Sequence, residues 1–458
     1  MRIFKNKIFR RIVSPLLLAC LFIALDTGVG ELLRPVTYAT DFNHDIARIE
    51  QTGQEVDMLF VGASRTYRTF VPEVFEEKLG LGCVVNAGSS SQPICATYYE
   101  LKDLVERIHP KRVCIGVIWN LLTHEPNLQS RLIVLDRLSL RNRLQMAAKC
   151  FKVSEMPYLL ATYRFKDNLS IEQIRTNAAE KRRLAATDYD TFSPDKEYYA
   201  DTGFVYSYKS YRTGTIPIRE AGNFSANKVT KENLGYLDAC VELCRKNDIE
   251  VTLVTGVTTM MRIYLVGNYQ EAVDYYREYA EKHGIAYYNL NYLKGRESFL
   301  PDEMMFDYNH TNGEGAHIAS ERFAEILRKA DAGEDVSGYF YENLDALKKD
   351  VHRIVAVKAD IKADPEEAGW YSAKITSLQN DDVEAVYRLL MKRGGEEEYS
   401  VIRDWTSDPV IRFRADGDPE DCTVMVEAGS ADESCGHAFQ EYSLRKSKAD
   451  KQDQDEEE

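Results

Sequence analysis

The chain has 458 residues, enough for roughly two or three domains. Hydrophobic residues make up 44% and charged residues 29%, a globular composition that excludes a disordered or fibrous chain. With a net charge of −15 and a pI near 5.2, it gains nothing from a phosphate backbone, which argues against nucleic acid as a partner.

At the N-terminus, Arg2, Lys5, Lys7, Arg10 and Arg11 precede an apolar run from Ile12 to Leu25, broken only by Ser14 and Pro15. A basic flank before an apolar core is the pattern of signal peptides and signal anchors. A spanning helix needs about 20 residues, so "DTGVGELL", with two charges, would have to complete the span. No A-x-A-like cleavage site stands out. Residues 1–34 are therefore expected to be a basic flank and an uncleaved single-pass membrane anchor. Everything after about residue 35 would then lie outside the cytoplasmic membrane.

From residue 56 the pattern alternates between short apolar runs and amphipathic stretches. Val56–Val61, Cys83–Ala87, Arg112–Ile118, Glu250–Gly256 and Ile285–Leu290 read as buried strands, near-continuous in apolar residues as parallel strands covered on both faces are. Between them, Ile94–Ile108 places Tyr98, Leu101, Val105 and Ile108 at helical intervals, and Gly284 marks a helix stop. This rhythm predicts the α/β class, with a doubly wound parallel sheet over residues 35–340. Residues 125–230 break the rhythm with a tyrosine- and turn-rich insertion, either packed over one face or able to hold a sugar. From Val351, β-type stretches at short spacing predict a small Ig-like β-sandwich over 351–430. The charged tail 431–458 is expected to be disordered.

Nine cysteines are scattered without a CxxC pair, so a zinc ribbon is unsupported. Cys240 and Cys244 stand at helical spacing as small core residues. Cys422 and Cys435 could pair in an oxidising compartment, which spacing alone does not decide.

Ser64, in "MLFVGASRTYRTF", leaves the first strand. It is either a turn or helix-capping residue or a nucleophile, which requires a histidine base and an acid to orient it. Of eight histidines, only His310 has an acid so placed: Asp307, three residues earlier in "FDYNHTNGEG". The serine follows the first strand and the Asp-x-x-His the last, and functional groups of open α/β sheets gather at carboxyl strand ends. Arg65 and Arg68 have two open readings, surface pairs with Glu73, Glu76 or Glu77, or contacts to an anionic substrate.

"FVGASRTYRTF", "NAGSSSQP" and "DYNHTNGEGA" resemble blocks I, II and V of the SGNH (GDSL-type) hydrolases over roughly residues 50–330. The resemblance extends to the membrane-anchored branch with the D-alanyl transfer and alginate O-acetylation proteins. It implies Ser64 as nucleophile, His310 as general base and then acid, and Asp307 as its orienter. Gly88 and Asn120 would be oxyanion donors, although the usual Gly-x-Asn-Asp of block III is absent and Asn120 serves a turn equally well. It further implies acyl-serine chemistry without metal or organic cofactor. The function expected is an esterase or O-acyltransferase acting on an envelope polysaccharide, with a multi-pass membrane acyl carrier as a partner. The alternative is a catalytically silent scaffold that binds a glycan or a protein partner.

Overall fold

A computed structural model describes residues 7–125, 127–186, 197–210, 222–351, 353–380, 382–415, 421–433, 435 and 437–444. The chain divides into two compact units. The first comprises Met1–Ser207, Lys228–Gly256 and Ala280–Tyr288; the second comprises Tyr208–Asn227, Val257–Tyr279 and Asn289–Glu458.

Five short apolar segments form the main sheet: β1 (Met58–Val61), β2 (Val84–Asn86), β3 (Arg112–Gly116), β6 (Glu250–Thr255) and β7 (Ala286–Asn289), in the order β2-β1-β3-β6-β7. β1 pairs in parallel with β2 and β3, and β3 with β6. The order reverses at β1, the switch point of a doubly wound sheet, so the carboxyl ends of β1 and β3 open onto the crevice where ligands of such folds bind. Every residue of β1 and β2 is buried, which is why these strands read as unbroken apolar runs. The α/β class expected from the sequence is present, with a five-stranded parallel sheet and helices between its strands.

The helix Ile94–Ile108 begins after Pro93 and buries most of its length, including Glu100 and Asp103. These two carboxylates hold the first part of the insertion. Glu100 accepts from Arg137 at 3.0 Å and from Gln92 at 2.8 Å. Asp103 accepts from the Ser139 N–H at 3.0 Å and from Asn142 at 2.9 Å. Helices Leu128–Leu135 and Leu140–Cys150 thereby pack Leu132, Leu135 and Met146 against Ala96 and Tyr99. A hairpin of β4 (Glu197–Tyr199) and β5 (Val205–Ser207) follows. Much of the tyrosine-rich stretch, at 187–196 and 211–221, lies outside the described residues.

The N-terminal expectation is corrected. Lys7–Leu33 is a helix, but no helix among the described residues is long and apolar enough to cross a membrane. The apolar run stops at Leu25, and the next residue is built into the protein. Asp26 accepts hydrogen bonds from the Ala161 N–H at 2.8 Å, the Thr162 N–H at 3.0 Å and the Thr162 hydroxyl. One turn on, Gly30 lies where a Cβ would strike the Ala161 side chain, and Leu33 is buried.

In the second unit, antiparallel strands β8 (Ile354–Ala363), β9 (Trp370–Gln379), β10 (Ala385–Arg393), β11 (Ser400–Thr406), β12 (Val410–Arg414), β13 (Cys422–Ser430) and β14 (Ala438–Ser443) form two sheets. Their orders are β11-β10-β13-β14 and β12-β9-β8. Ile375, Leu389, Phe413, Val424 and Val426 pack between them. Strand β14 falls where a disordered tail was expected, because Ala438 and Gln440 alternate into the core despite the charged flank; residues 445–458 lie outside the described ones. Cys422 and Cys435 are both buried in that core.

Burial pushes the Glu100 carboxyl up, against the pull of Arg137 and Gln92. Removing the guanidinium therefore strands a buried acid. Arg137→Ala should destabilise the chain by about 3–5 kcal/mol, read as a lowered denaturation midpoint, whereas substitution of the exposed Arg141 should change it little.

Candidate active site

β1 runs out at Val61 into Gly62, whose φ of +150° is open to glycine but strained for other residues. Ala63 is the N-cap and Ser64 the first residue of the short helix Ser64–Thr69. This helix lies almost in contact with the strand ends. A Cβ on Gly62 would stand 2.5 Å from Thr66 Oγ1 and 3.1 Å from Gly116 Cα; one on Gly116 would stand 2.2 Å from the same hydroxyl. On the β2 side, a Cβ on Gly88 would come within 2.7 Å of the Tyr67 nitrogen.

Asn86, at the end of β2 and 1% exposed, ties the helix down. Its amide donates to the Thr66 carbonyl at 2.9 Å and the Phe70 carbonyl at 2.7 Å. Its side-chain oxygen accepts the Gly88 N–H at 3.1 Å. That last bond bears on the expected oxyanion donor, because the Gly88 N–H is engaged within the protein. Gly88 stands where it does because nothing larger fits under Tyr67.

Ser64 and Asn120 line one pocket with Ser91, Ile118, Leu121 and His124. The Asn120 carbonyl accepts from the N–H groups of Thr123 at 3.2 Å and His124 at 2.9 Å. Asn120 therefore makes the turn after β3 with its backbone and borders the serine pocket as well. Arg68 follows neither sequence reading. It is buried, pairs with Glu197 of the β4–β5 hairpin at 3.0 Å and lies over the Tyr67 ring at 5.4 Å. At the hairpin turn, a Cβ on Gly203 would collide with the Asn86 carbonyl oxygen. The hairpin is thus seated on the serine helix and on β2. Arg65 is likewise buried, which excludes a surface ion pair.

In the second unit, Asp307 and His310 share one tight loop. Asp307 Oδ1 and Oδ2 lie 2.9 and 3.0 Å from His310 Nδ1. Oδ1 also accepts the N–H groups of Asn309 at 2.6 Å and His310 at 2.9 Å. Burial alone would push the Asp307 carboxyl up; the His310 hydrogen bond and charge, with the two backbone N–H groups, outweigh it and hold the acid below its ordinary value. The loop is anchored at both ends. Thr258 and Thr259 hydroxyls donate to the Tyr308 carbonyl at 3.0 and 2.9 Å. Asn312 caps the helix Gly313–Asp331 through the Gly315 N–H at 2.9 Å and donates to the Glu303 carbonyl at 2.9 Å.

The structure thus places Ser64 and Asn120 on one pocket, Gly88 beneath the serine helix, and Asp307 on His310. Asn86 and His124 were not singled out from sequence. An asparagine ending an apolar strand was the available signal for Asn86; His124 had none, standing in a turn with no acid in an obvious orienting position.

No protein-family model matches the chain, and no curated protein does. Among solved structures it is similar to a GDSL-like lipase from Bacteroides thetaiotaomicron, at 13% identity and a TM-score of 0.30, over 64% of this chain and 100% of that one. It is also similar to a protein from Bacteroides fragilis assigned as an acylhydrolase, at 11% identity and a TM-score of 0.28, over 62% and 96% of the two chains. A G-D-S-L family protein from Desulfitobacterium hafniense has 12% identity and a TM-score of 0.27, over 59% and 99%. These neighbours are GDSL-type at low identity; no member of the membrane-anchored branch is among them.

Two outcomes are expected. Gly62→Ala adds backbone strain and a clash with Thr66 and should cost about 2–4 kcal/mol, measured by denaturant unfolding. The Asp307 contribution to stability is fully present above the ordinary carboxylate value of 3.8 and is lost as pH falls through its lower folded value. Asp307→Asn should therefore be less stable than the parent at neutral pH, and the difference should close in acid, seen in thermal midpoints across the pH range.

Proposed function

We propose that the chain is a serine acyl-esterase in which Ser64 is the nucleophile, His310 its base and Asp307 the orienting acid. The observation that carries this reading is the Asp307–His310 pair. A carboxylate held on Nδ1 fixes the imidazole tautomer and stabilises the imidazolium that forms during acyl transfer. Backbone N–H bonds and the lowered acid keep that carboxylate ionised at neutral pH.

In the proposed reaction, Ser64 Oγ adds to the acyl carbonyl as His310 Nε2 takes its proton. The carbonyl oxygen becomes an oxyanion, for which the Ser64 N–H and the Asn120 side chain are the assigned donors. Collapse breaks the ester C–O bond, and His310 returns the proton to the leaving alcohol. Water then adds to the acyl-serine by the reverse sequence, releasing the acid and free Ser64. A glycan hydroxyl in place of water would make the protein an O-acyltransferase of polysaccharide. The stacked Tyr198 and Tyr206 rings, 5.2 Å apart on the hairpin beside the serine helix, support a sugar acceptor.

The test uses the full chain with p-nitrophenyl acetate, with and without acylatable polysaccharide. Ser64→Ala should lower turnover by about 10³-fold or more, and Asn120→Ala should lower kcat by about 10²–10³-fold. Acetyl found on the polysaccharide identifies the transferase; free acetate alone identifies the esterase. If the parent chain neither turns over the ester nor reacts with a serine-directed phosphonate, the binding-scaffold reading replaces the enzyme.

A further inference from the structure

The α/β unit holds another pocket, lined by Cys95, Cys150, Arg131, His124, Phe151 and Asn233 among others. Cys95 stands in the first turn of Ile94–Ile108, and Cys150 is the last residue of Leu140–Cys150. The two are far apart in sequence, with no spacing motif to link them, yet both line this pocket and their thiols interact. The Tyr236 hydroxyl lies 3.5 Å from Cys150 Sγ on the other side. Arg131 is 4% exposed and reaches this corner, with its guanidinium 4.8 Å over Phe151, bonded to the Cys150 carbonyl and held by Glu155 at 2.7 Å. Cys95 is buried and Cys150 half-buried, so the two thiols differ in access.

We propose that Cys150 and Cys95 form a dithiol site for small disulfides, with Cys150 attacking and Cys95 resolving. The interaction with Cys95 acts first on the Cys150 thiol. With the Tyr236 hydroxyl and the Arg131 charge, it outweighs burial and holds that thiol below its ordinary value, while Cys95 is pushed up. The greater access of Cys150 suits an attacking thiol, and the burial of Cys95 beside it suits a resolving one. The Cys150 thiolate attacks one sulfur of a disulfide RSSR; the S–S bond breaks and one RS⁻ leaves, taking up a proton. Cys95 then loses its proton and attacks Cys150 Sγ, forming the Cys95–Cys150 bond and releasing a second RSH. The protein dithiol loses two electrons and RSSR gains them. The site is independent of the acyl-transfer reading, although His124 borders both this pocket and that of Ser64.

The test treats the reduced full chain with oxidised glutathione at neutral pH, alkylates the remaining thiols and maps the peptides by mass spectrometry. A loss of two hydrogens, with Cys95 and Cys150 in one linked peptide, is the expected result. No intramolecular disulfide, or one between other cysteines, would overturn the proposal. In Cys95→Ser, the glutathione adduct should accumulate on Cys150; in Cys150→Ser, none should form on Cys95, and an adduct there would reverse the assigned roles. Tyr236→Phe leaves both thiols in place and should slow disulfide formation several-fold. An unchanged rate in that variant would count against an activated Cys150.

Discussion

The close approach of one short helix to the ends of three strands sets the geometry around Ser64. Residues Ser64–Thr69 lie so near β1, β2 and β3 that Gly62, Gly88 and Gly116 have no room for a methyl group. Asn86 then fixes the height and rotation of the helix by bonding its carbonyls from below. A serine placed this way has little freedom, and low freedom at the attacking atom is what an acyl-transfer nucleophile requires. The same crowding explains why the hairpin β4–β5 can sit against the helix through the Arg68–Glu197 pair.

Those constraints reach outward through the insertion. Arg137 donates to the Ala87 and Gly88 carbonyls as well as to Glu100. One guanidinium therefore joins the glycine loop to the helix Ile94–Ile108 and to the insertion that supplies it. The insertion is a packed layer on that helix, and its polar contacts are buried and directional. In the second unit, the Asp307 loop has comparable support, from Thr258, Thr259 and Asn312.

How much was legible in the sequence depended on whether a residue's role was set locally. The five sheet strands stand within about two residues of the apolar runs that predicted them, and the helix Ile94–Ile108 has the predicted ends; for β1 and β2, burial on both faces leaves a continuous apolar signature. The Asp307–His310 spacing was readable for the same reason, since one turn contains both partners. The ion pair of Arg68 was not legible because its partner, Glu197, is 129 positions away. Gly88 was expected as an oxyanion donor from the resemblance, and the strand-end position of Asn86 did not by itself show that its side chain turns back to take the Gly88 N–H. The basic flank and apolar run of the first helix suggested a lipid span; the acceptor role of Asp26 depends on Ala161 and Thr162, far along the chain. Strand β14 was obscured by the charged residues after it.

The first helix has a practical consequence for any shortened version of the protein. A chain begun at residue 35, the natural cut if that helix were dispensable, would lose Asp26 and with it the acceptor for the N–H groups of Ala161 and Thr162. It would also lose the Leu33 carbonyl, to which Asn168 and Asn177 donate at 3.1 and 3.0 Å. Donors left without acceptors at the start of a helix favour fraying from that end. The segment that looks most like an appendage is thus a brace for residues 161–186, and trimming it would be felt more than a hundred positions downstream.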